Sequence, residues 1–484
     1  MKSTFVNAVK NSKILTYPTS PDNAQERWNR SIFPLILDTV FNGPCSLLKK
    51  IYGRWENVFD NSVAVRLIRF FTDRMVIIIG LVLAATMMIP DHKWYNKYGV
   101  FMVVFLFALF IIKTMITPKA RFDLASVDYT AILFFLCIML AGVLSLFPMD
   151  SLNYLIYYFI TFLSMVILIS SIESQNELDI LIKIVAVCTL LTAIYGVYQW
   201  KVVGVAVDPS QTDLAINKDL GGRVFSTMGN SNIYGELLVL TIPFFAAIFL
   251  NEKKLYSKIF WIVLCLPVLL ILFKTGSRSA WVSFAVSVFV FVFFWNKKLI
   301  PLLLLLGAAA IPFLPPSIYR RILTIFNPND TSVNYRMKIL DSALPMLRDY
   351  WATGVGLGSR VAGTVFQRYK AFGLTTAAHT HNLFIQLWLE AGISALVTLF
   401  ALLFRIVKNT FEAVREKTNP AAVNIMLASI SSVAGLMVMG FADYVWFYNR
   451  ILYMFWIDVA IFLAALKLTK KQPVKSGNSE GMQQ

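Results

Sequence analysis

The chain has 484 residues, of which 57% are hydrophobic and 15% charged, and its formal net charge is +17. With a mean hydropathy of +0.66, this balance excludes the string of soluble domains that the length alone would suggest. The basic residues form no basic–aromatic module for nucleic acid, and no nucleic-acid partner is expected.

Residues 1–74 come first. They contain eleven Lys and Arg, no apolar core of signal-peptide type, and semi-apolar pieces such as SIFPLILDTVF and VAVRLIRFF. They read as a basic cytoplasmic region lying partly on the anionic leaflet through amphipathic segments; a disordered tail is the competing reading. Apolar runs with few or no charges follow at 75–90, 99–117, 130–148, 153–172, 179–200, 231–250, 259–273, 280–295, 299–315, 383–404, 421–441 and 450–466. Each is close to the ~20 residues that cross a bilayer. Backbone groups in hydrocarbon must bond within their own segment, so the runs are helices. The predicted fold is an all-α polytopic membrane protein of about twelve transmembrane helices. It spans 75–466, includes a large external loop at 316–382, and ends in a cytoplasmic tail at 467–484. Cys45, Cys137, Cys188 and Cys265 show neither metal-ligand spacing nor an evident disulfide pairing, and read as structural.

Short loops rich in Lys and Arg face the cytoplasm. With the N-terminus inside, PKARFD (118–123), NEKKLYSK (251–258), NKK (296–298), RIVKNTFEAVREK (405–417) and KLTKKQPVK (467–475) all fall inside, and all are basic. The outer loop FPMDSLN has no base, and only the acidic turn at 173–178 gives no support. Two long loops, 201–230 and 316–382, then lie outside. Arg223, Asn230, Arg278, Arg450 and a histidine pair converge on that outer face.

Each motif on this face has two readings. In GGRVFSTMGNSNIYGELL (221–238), Asn230, Ser231 and Asn232 suit a helix N-cap, while Arg223 is either an anion ligand or an interfacial anchor. In KTGSRSAWVSF (274–284), Ser277 or Ser279 can cap the next helix, whose N-terminus favours an anion. Arg278 adds a planar fork suited to phosphate, with snorkelling as the alternative. GVGLGS (354–359) follows no clear strand and lacks the phosphate-loop lysine, so it is a backbone turn. Ahead of it, 332–351 carries Met337, Leu340, Leu344 and Leu347 at helical spacing, an amphipathic helix for the outer surface. Arg336 near its start is a weaker site candidate. In HTHNLFIQLWLEAGISAL (379–396), Thr380 or Asn382 can cap the span, leaving His379 and His381 as ordinary loop residues. On a face thin in acids, with no paired carboxylates in the short outer loops, a histidine is the group able to do acid–base work near neutral pH.

These residues carry a resemblance. His381-Asn382, nine residues and Gly392 resemble the signature of the O-antigen ligase and O-antigen polymerase superfamily, with Ala395 standing where that pattern ends in Gly, Thr or Tyr. The Arg in the GSRSA turn, the Arg ahead of GNSN, the large external loop and the number of spans are also similar, over roughly residues 130–465. The basic N-terminal region looks like an addition. The resemblance implies a GT-C-like ligase/polymerase architecture in a bacterial cytoplasmic membrane with an external active site. It implies a metal-independent, inverting transfer of a glycan from an undecaprenyl-diphosphate donor, without a cofactor. The acceptor would be a lipid A core, a growing glycan or a protein hydroxyl. In that frame His381 is the base, Arg223 and Arg278 clamp the diphosphate, and His379, Asn382, Asn230, Arg336 and Arg450 support them, with no metal ligand. The competing class is a lipid-linked sugar flippase, favoured by Asp458 inside the last span but not by any internal repeat. A non-catalytic scaffold leaves the convergent polar face unexplained.

Overall fold

The computed structural model describes residues 24–56, 62–207, 222–313, 331–371, 379–416 and 418–470, with positions 59, 319 and 374 besides. The terminal stretches 1–23 and 471–484 and parts of the two long loops 201–230 and 316–382 lie outside the described residues. Helix is the only regular secondary structure among those described. Several helices begin where the sequence supplies a cap. Asp128, Ser277, Asn230 and Asn419 each accept a backbone N–H of the first turn, and Ser174 and Glu177 form a reciprocal capping box.

Nine helices among the described residues are long and apolar enough to cross a membrane: Asn96–Ile116, Pro148–Ser171, Gln175–Val203, Ser231–Asn251, Leu255–Lys274, Arg278–Ala310, Leu383–Glu416, Pro420–Met439 and Asn449–Lys470. Two shorter apolar helices, Met75–Met88 and Tyr129–Val143, add to them. Asn296, within Arg278–Ala310, has φ −158 and ψ 89, which is extended backbone and interrupts the helix. That stretch is therefore two apolar pieces joined at the basic NKK turn, and the number of apolar segments returns to the twelve read from the sequence.

Loop-to-loop bonds sort the connections into two ends. At one end Lys467 pairs with Asp123 at 2.9 Å, Thr418 bonds the Thr469 carbonyl, Asn251 bonds the Ala421 carbonyl, and Lys183 pairs with Glu252. At the other end Leu146 N–H bonds the Val355 carbonyl, Leu383 N–H bonds the Gly440 carbonyl, and Thr227 bonds the Met87 carbonyl. The basic loops of the sequence all belong to the first end. The last helix, Asn449–Lys470, is buried from Arg450 to Thr469, with the Trp456 ring tilted against those of Phe134 and Phe135 at 5.1 and 4.5 Å.

Helix Ile32–Arg54 lies at the basic end, where Asn42 exchanges two hydrogen bonds with the backbone of Phe122 and Lys49 bonds the Pro118 carbonyl. It leaves Ile32, Phe33, Leu35 and Ile36 exposed, and Val63–Thr72 leaves Leu67, Phe70 and Phe71 exposed. This is the pattern of helices that lie along a bilayer surface. At the opposite end, helix Thr331–Asp349 buries Ile339, Ala343, Met346 and Leu347 in a small separate core with Val361, Val365 and Leu389. Only Leu347 of the four residues expected to form its membrane face is buried there; Met337 and Leu344 are half exposed. The helix thus has two apolar faces, and one of them holds the long loop before the histidine pair on the bundle.

Candidate active site

The histidine segment is shaped by its two ends. Asn382 is the cap: its side-chain oxygen accepts the Phe384 and Ile385 N–H groups at 3.0 Å each, and its amide donates to the Phe441 carbonyl at 3.1 Å. Thr380 N–H donates to Gln386 Oε1 at 2.8 Å. Between them His381 adopts φ +51, in the left-handed region where a non-glycine residue costs about 1 kcal/mol or more. The reward is directional. His381 Nδ1 meets Asp443 Oδ1 at 3.1 Å.

Asp443 sits in the loop between the last two spans. Burial pushes its carboxyl up, but the hydrogen bond and charge of His381, with Arg336, more than offset this and hold it at about 2. An ionised carboxylate only accepts, so Nδ1 of His381 carries a proton and donates it; in the neutral ring the lone pair is then on Nε2. Burial drives His379 down to about 4, helped by the His381 and Arg336 charges and opposed by Asp443. His379 is thus neutral at pH 7, and its Nδ1 accepts the His381 N–H at 3.2 Å. Its ring lies 4.2 Å from the His381 ring and 4.6 Å from that of Phe447.

These groups line a polar cavity of about 330 Å³ with Asn230, Asn232, Glu236, Tyr335, Arg336, Tyr444 and Tyr448. Asn230 caps its own helix, accepting the Asn232 N–H at 2.8 Å, and turns that N-terminus toward the cavity. Neither Arg223 nor Arg278, the two arginines expected to clamp the diphosphate, is in the lining; the weaker candidate Arg336 is. Arg223 is buried behind the wall, donating to the Thr275 carbonyl at 2.8 Å and to Asn232 Oδ1, and its stem packs on Gly276. That contact brings it beside the Ser277-capped turn where Arg278 stands, half-buried. Arg450 lies outside the cavity. It donates to the carbonyls of Thr86, Ile89 and Thr227 and stacks over Trp94, fastening two loops of the cavity end to the last helix. Asp458 is buried within that helix and does not line the cavity.

The expectation that this face is thin in acids is corrected by Asp443 and Glu236. Asp443 stands in the aromatic-rich stretch FADYVWFYNR between the last two spans, a signal available in the sequence. Glu236 lies inside a span, four residues after Asn232 and so on the same helix face. His379, His381 and Asp443 each offer a ligand atom within 4.8 Å of the others, the one potential metal-holding group among the described residues. In the structure His381 Nδ1 and Asp443 Oδ1 are engaged with each other, His379 Nδ1 accepts the His381 backbone N–H, and Asp443 Oδ1 also accepts the Tyr444 N–H.

A second constellation explains Gly392. Its φ of 75 and ψ of 176 break the helix and release carbonyls: Leu389 accepts the Val355 N–H at 2.8 Å, and Glu390 accepts the Gly356 N–H at 3.0 Å. A Cβ on Gly392 would stand 2.1 Å from the Ala352 carbonyl oxygen. The GVGLGS turn therefore docks its backbone on this break, beside the cavity.

The fold and cavity define a multi-pass, all-helical membrane protein with a polar pocket of histidine, carboxylates and arginine at one end. Residues 260–400 match the family model described as O-Antigen ligase, so the chain carries a domain of that family. The matched stretch holds the Arg278 turn, the external loop, both histidines and Gly392. A curated relative, the teichuronic acid biosynthesis protein TuaE of Bacillus subtilis (strain 168), is 21% identical over 273 residues, covering 51% of this chain and 52% of the relative. The chain thus matches about half the length of that relative.

Proposed function

We propose that the chain acts as an O-antigen ligase or polysaccharide polymerase, moving a glycan from an undecaprenyl-diphosphate carrier to an acceptor hydroxyl in this cavity on the outer face of the cytoplasmic membrane. The observation that carries the reading is the His381–Asp443 pair at 3.1 Å on the cavity wall. His381 Nε2 takes the proton of the acceptor hydroxyl as its oxygen attacks the anomeric carbon. The bond from that carbon to the diphosphate breaks, and the lipid diphosphate leaves with the electron pair. Direct attack inverts the anomeric centre. Asp443 keeps the ring in the right tautomer and stabilises the imidazolium that forms. Arg336 faces the growing negative charge directly, and Arg278 with the capped helix start beside it supplies a second cationic surface. Arg223 orients Asn232 at the wall. The name of the Bacillus subtilis relative favours a growing glycan over a lipid A core or protein hydroxyl as acceptor.

The reading takes His381 and Asp443 as a proton-accepting pair rather than as metal ligands, and so expects transfer without a metal. Transfer assayed with purified protein in nanodiscs tests both points. His381→Ala should lose about 10²–10⁴-fold in rate while expression is kept. EDTA should leave the wild-type rate within about twofold, far less than a Lewis-acid metal is worth. A collapse reversed by Mg²⁺ or Mn²⁺ would return His379, His381 and Asp443 to the role of metal ligands. Near wild-type turnover in His381→Ala would remove the base, and transport that persists without His381 would favour a flippase.

A further inference from the structure

Glu390 is 2% exposed and stands two residues before the helix break at Gly392. Three donors converge on its carboxyl: Gln386 Nε2 at 2.7 Å, Gly358 N–H at 3.0 Å and the Tyr444 hydroxyl at 3.3 Å. We propose that Glu390 is a positioning residue for the His381–Asp443 pair, acting through Gln386 on one member and through Tyr444 on the other. The proposal rests on the reading of His381 as the base.

The direction of the bonds carries the argument. Thr380 N–H can only donate, so Gln386 must present its oxygen there and its NH₂ to Glu390. Gly358 N–H can only donate too, so both carboxyl oxygens of Glu390 must accept. Thr380 lies between the two histidines and holds one side of His381, which stays at φ +51 only while its neighbours constrain it. Tyr444 follows Asp443 and donates its own N–H to Asp443 Oδ1 at 2.9 Å. One carboxyl group therefore grips a flanking residue of each partner, and through Gly358 it adds the docked GVGLGS turn to the same network.

This pattern makes a sharp distinction between variants. In Glu390→Gln one end of the amide is NH₂, which faces a donor whichever way it turns, so a buried donor loses its partner. In the exchange Gln386→Glu with Glu390→Gln every bond has a counterpart: residue 386 accepts from Thr380 and from the new amide, whose oxygen accepts from Gly358 and Tyr444. An ordinary buried polar cluster would respond in stability alone.

The test uses the full chain in nanodiscs and three readouts: carbethoxylation of His381 by diethyl pyrocarbonate, normalised to the exposed His92 in the same digest; kcat and KM for transfer; and the thermal midpoint. Glu390→Gln should change normalised His381 reactivity by about threefold or more and lower kcat about tenfold, with KM within about twofold. The exchange should restore both. Tyr444→Phe, which keeps the shape and loses one arm, should move His381 reactivity the same way by a smaller factor, and serves if the exchange does not fold. If the variants lower the midpoint while reactivity and kcat per folded molecule stay put, Glu390 is structural and the proposal fails. It fails also if the exchange folds without restoring either readout. If reactivity responds as expected but wild-type transfer proves independent of His381, the positioning stands and the base assignment falls.

Discussion

His381 and Asp443 are 62 positions apart, and each is unremarkable until the other is placed beside it. The pair and its neighbour His379 predict a two-step acid response. His379 is held at about 4, below the ordinary histidine value of 6.5, so the unfolded chain takes up a proton that the folded one refuses between those values. Stability should therefore fall as pH drops from about 6.5 to 4. Asp443 is held at about 2, below its ordinary 3.8, so its contribution is full above about 4 and is lost as pH falls from there toward 2. Thermal midpoints across pH 3–7.5 in nanodiscs read both limbs. His379→Gln should flatten the upper limb and leave the lower one. An unchanged upper limb in that variant would mean His379 is not the group being protonated.

The elements that matter most are the irregular ones. The turn 354–358 carries three glycines at positive φ, 69, 115 and 98, and it seats on a helix that Gly392 has opened. A helix without that break would keep the Leu389 and Glu390 carbonyls for itself, leaving the Val355 and Gly356 N–H groups nothing to meet. Gly392→Ala imposes φ +75 on a residue with a Cβ and sets that Cβ against the Ala352 carbonyl, so docking should weaken by about 3 kcal/mol. Hydrogen exchange should then rise across 351–366 while Pro420–Met439 stays protected. Equal protection in both proteins would show that the external loop is held by its small apolar core alone.

At the scale of the whole molecule, two chemically different ends follow from charge and hydrogen bonding together. The basic loops share one end and the cavity occupies the other, so an N-terminus inside places the chemistry outside. In a background lacking the four native cysteines, Thr364→Cys should react with an impermeant maleimide from outside intact cells. Thr418→Cys should react only after the membrane is opened. The reverse pattern would put the cavity on the cytoplasmic side, where a flipped lipid carrier has no place.

The twelve apolar segments, the basic and pocket-bearing ends and the cap at Asn382 were legible in the sequence, and the histidine pair stood out there as a candidate, because bilayer thickness and loop charge act on contiguous residues. Even the division at NKK, which helix length alone would erase, was visible as three polar residues between apolar runs. The sequence could not show that Arg223 faces Thr275 and Asn232, or that Arg450 holds three carbonyls rather than lining the site. Those are matters of which donor meets which acceptor across the bundle. Nor could it pair Asp443 with His381 or join Glu236 to them, since these acids lie on different elements and only helix packing brings them to one cavity. Local patterns decide which segments enter the membrane and which end they face. The assembled bundle decides which polar groups are left to do chemistry and which are consumed in holding it together.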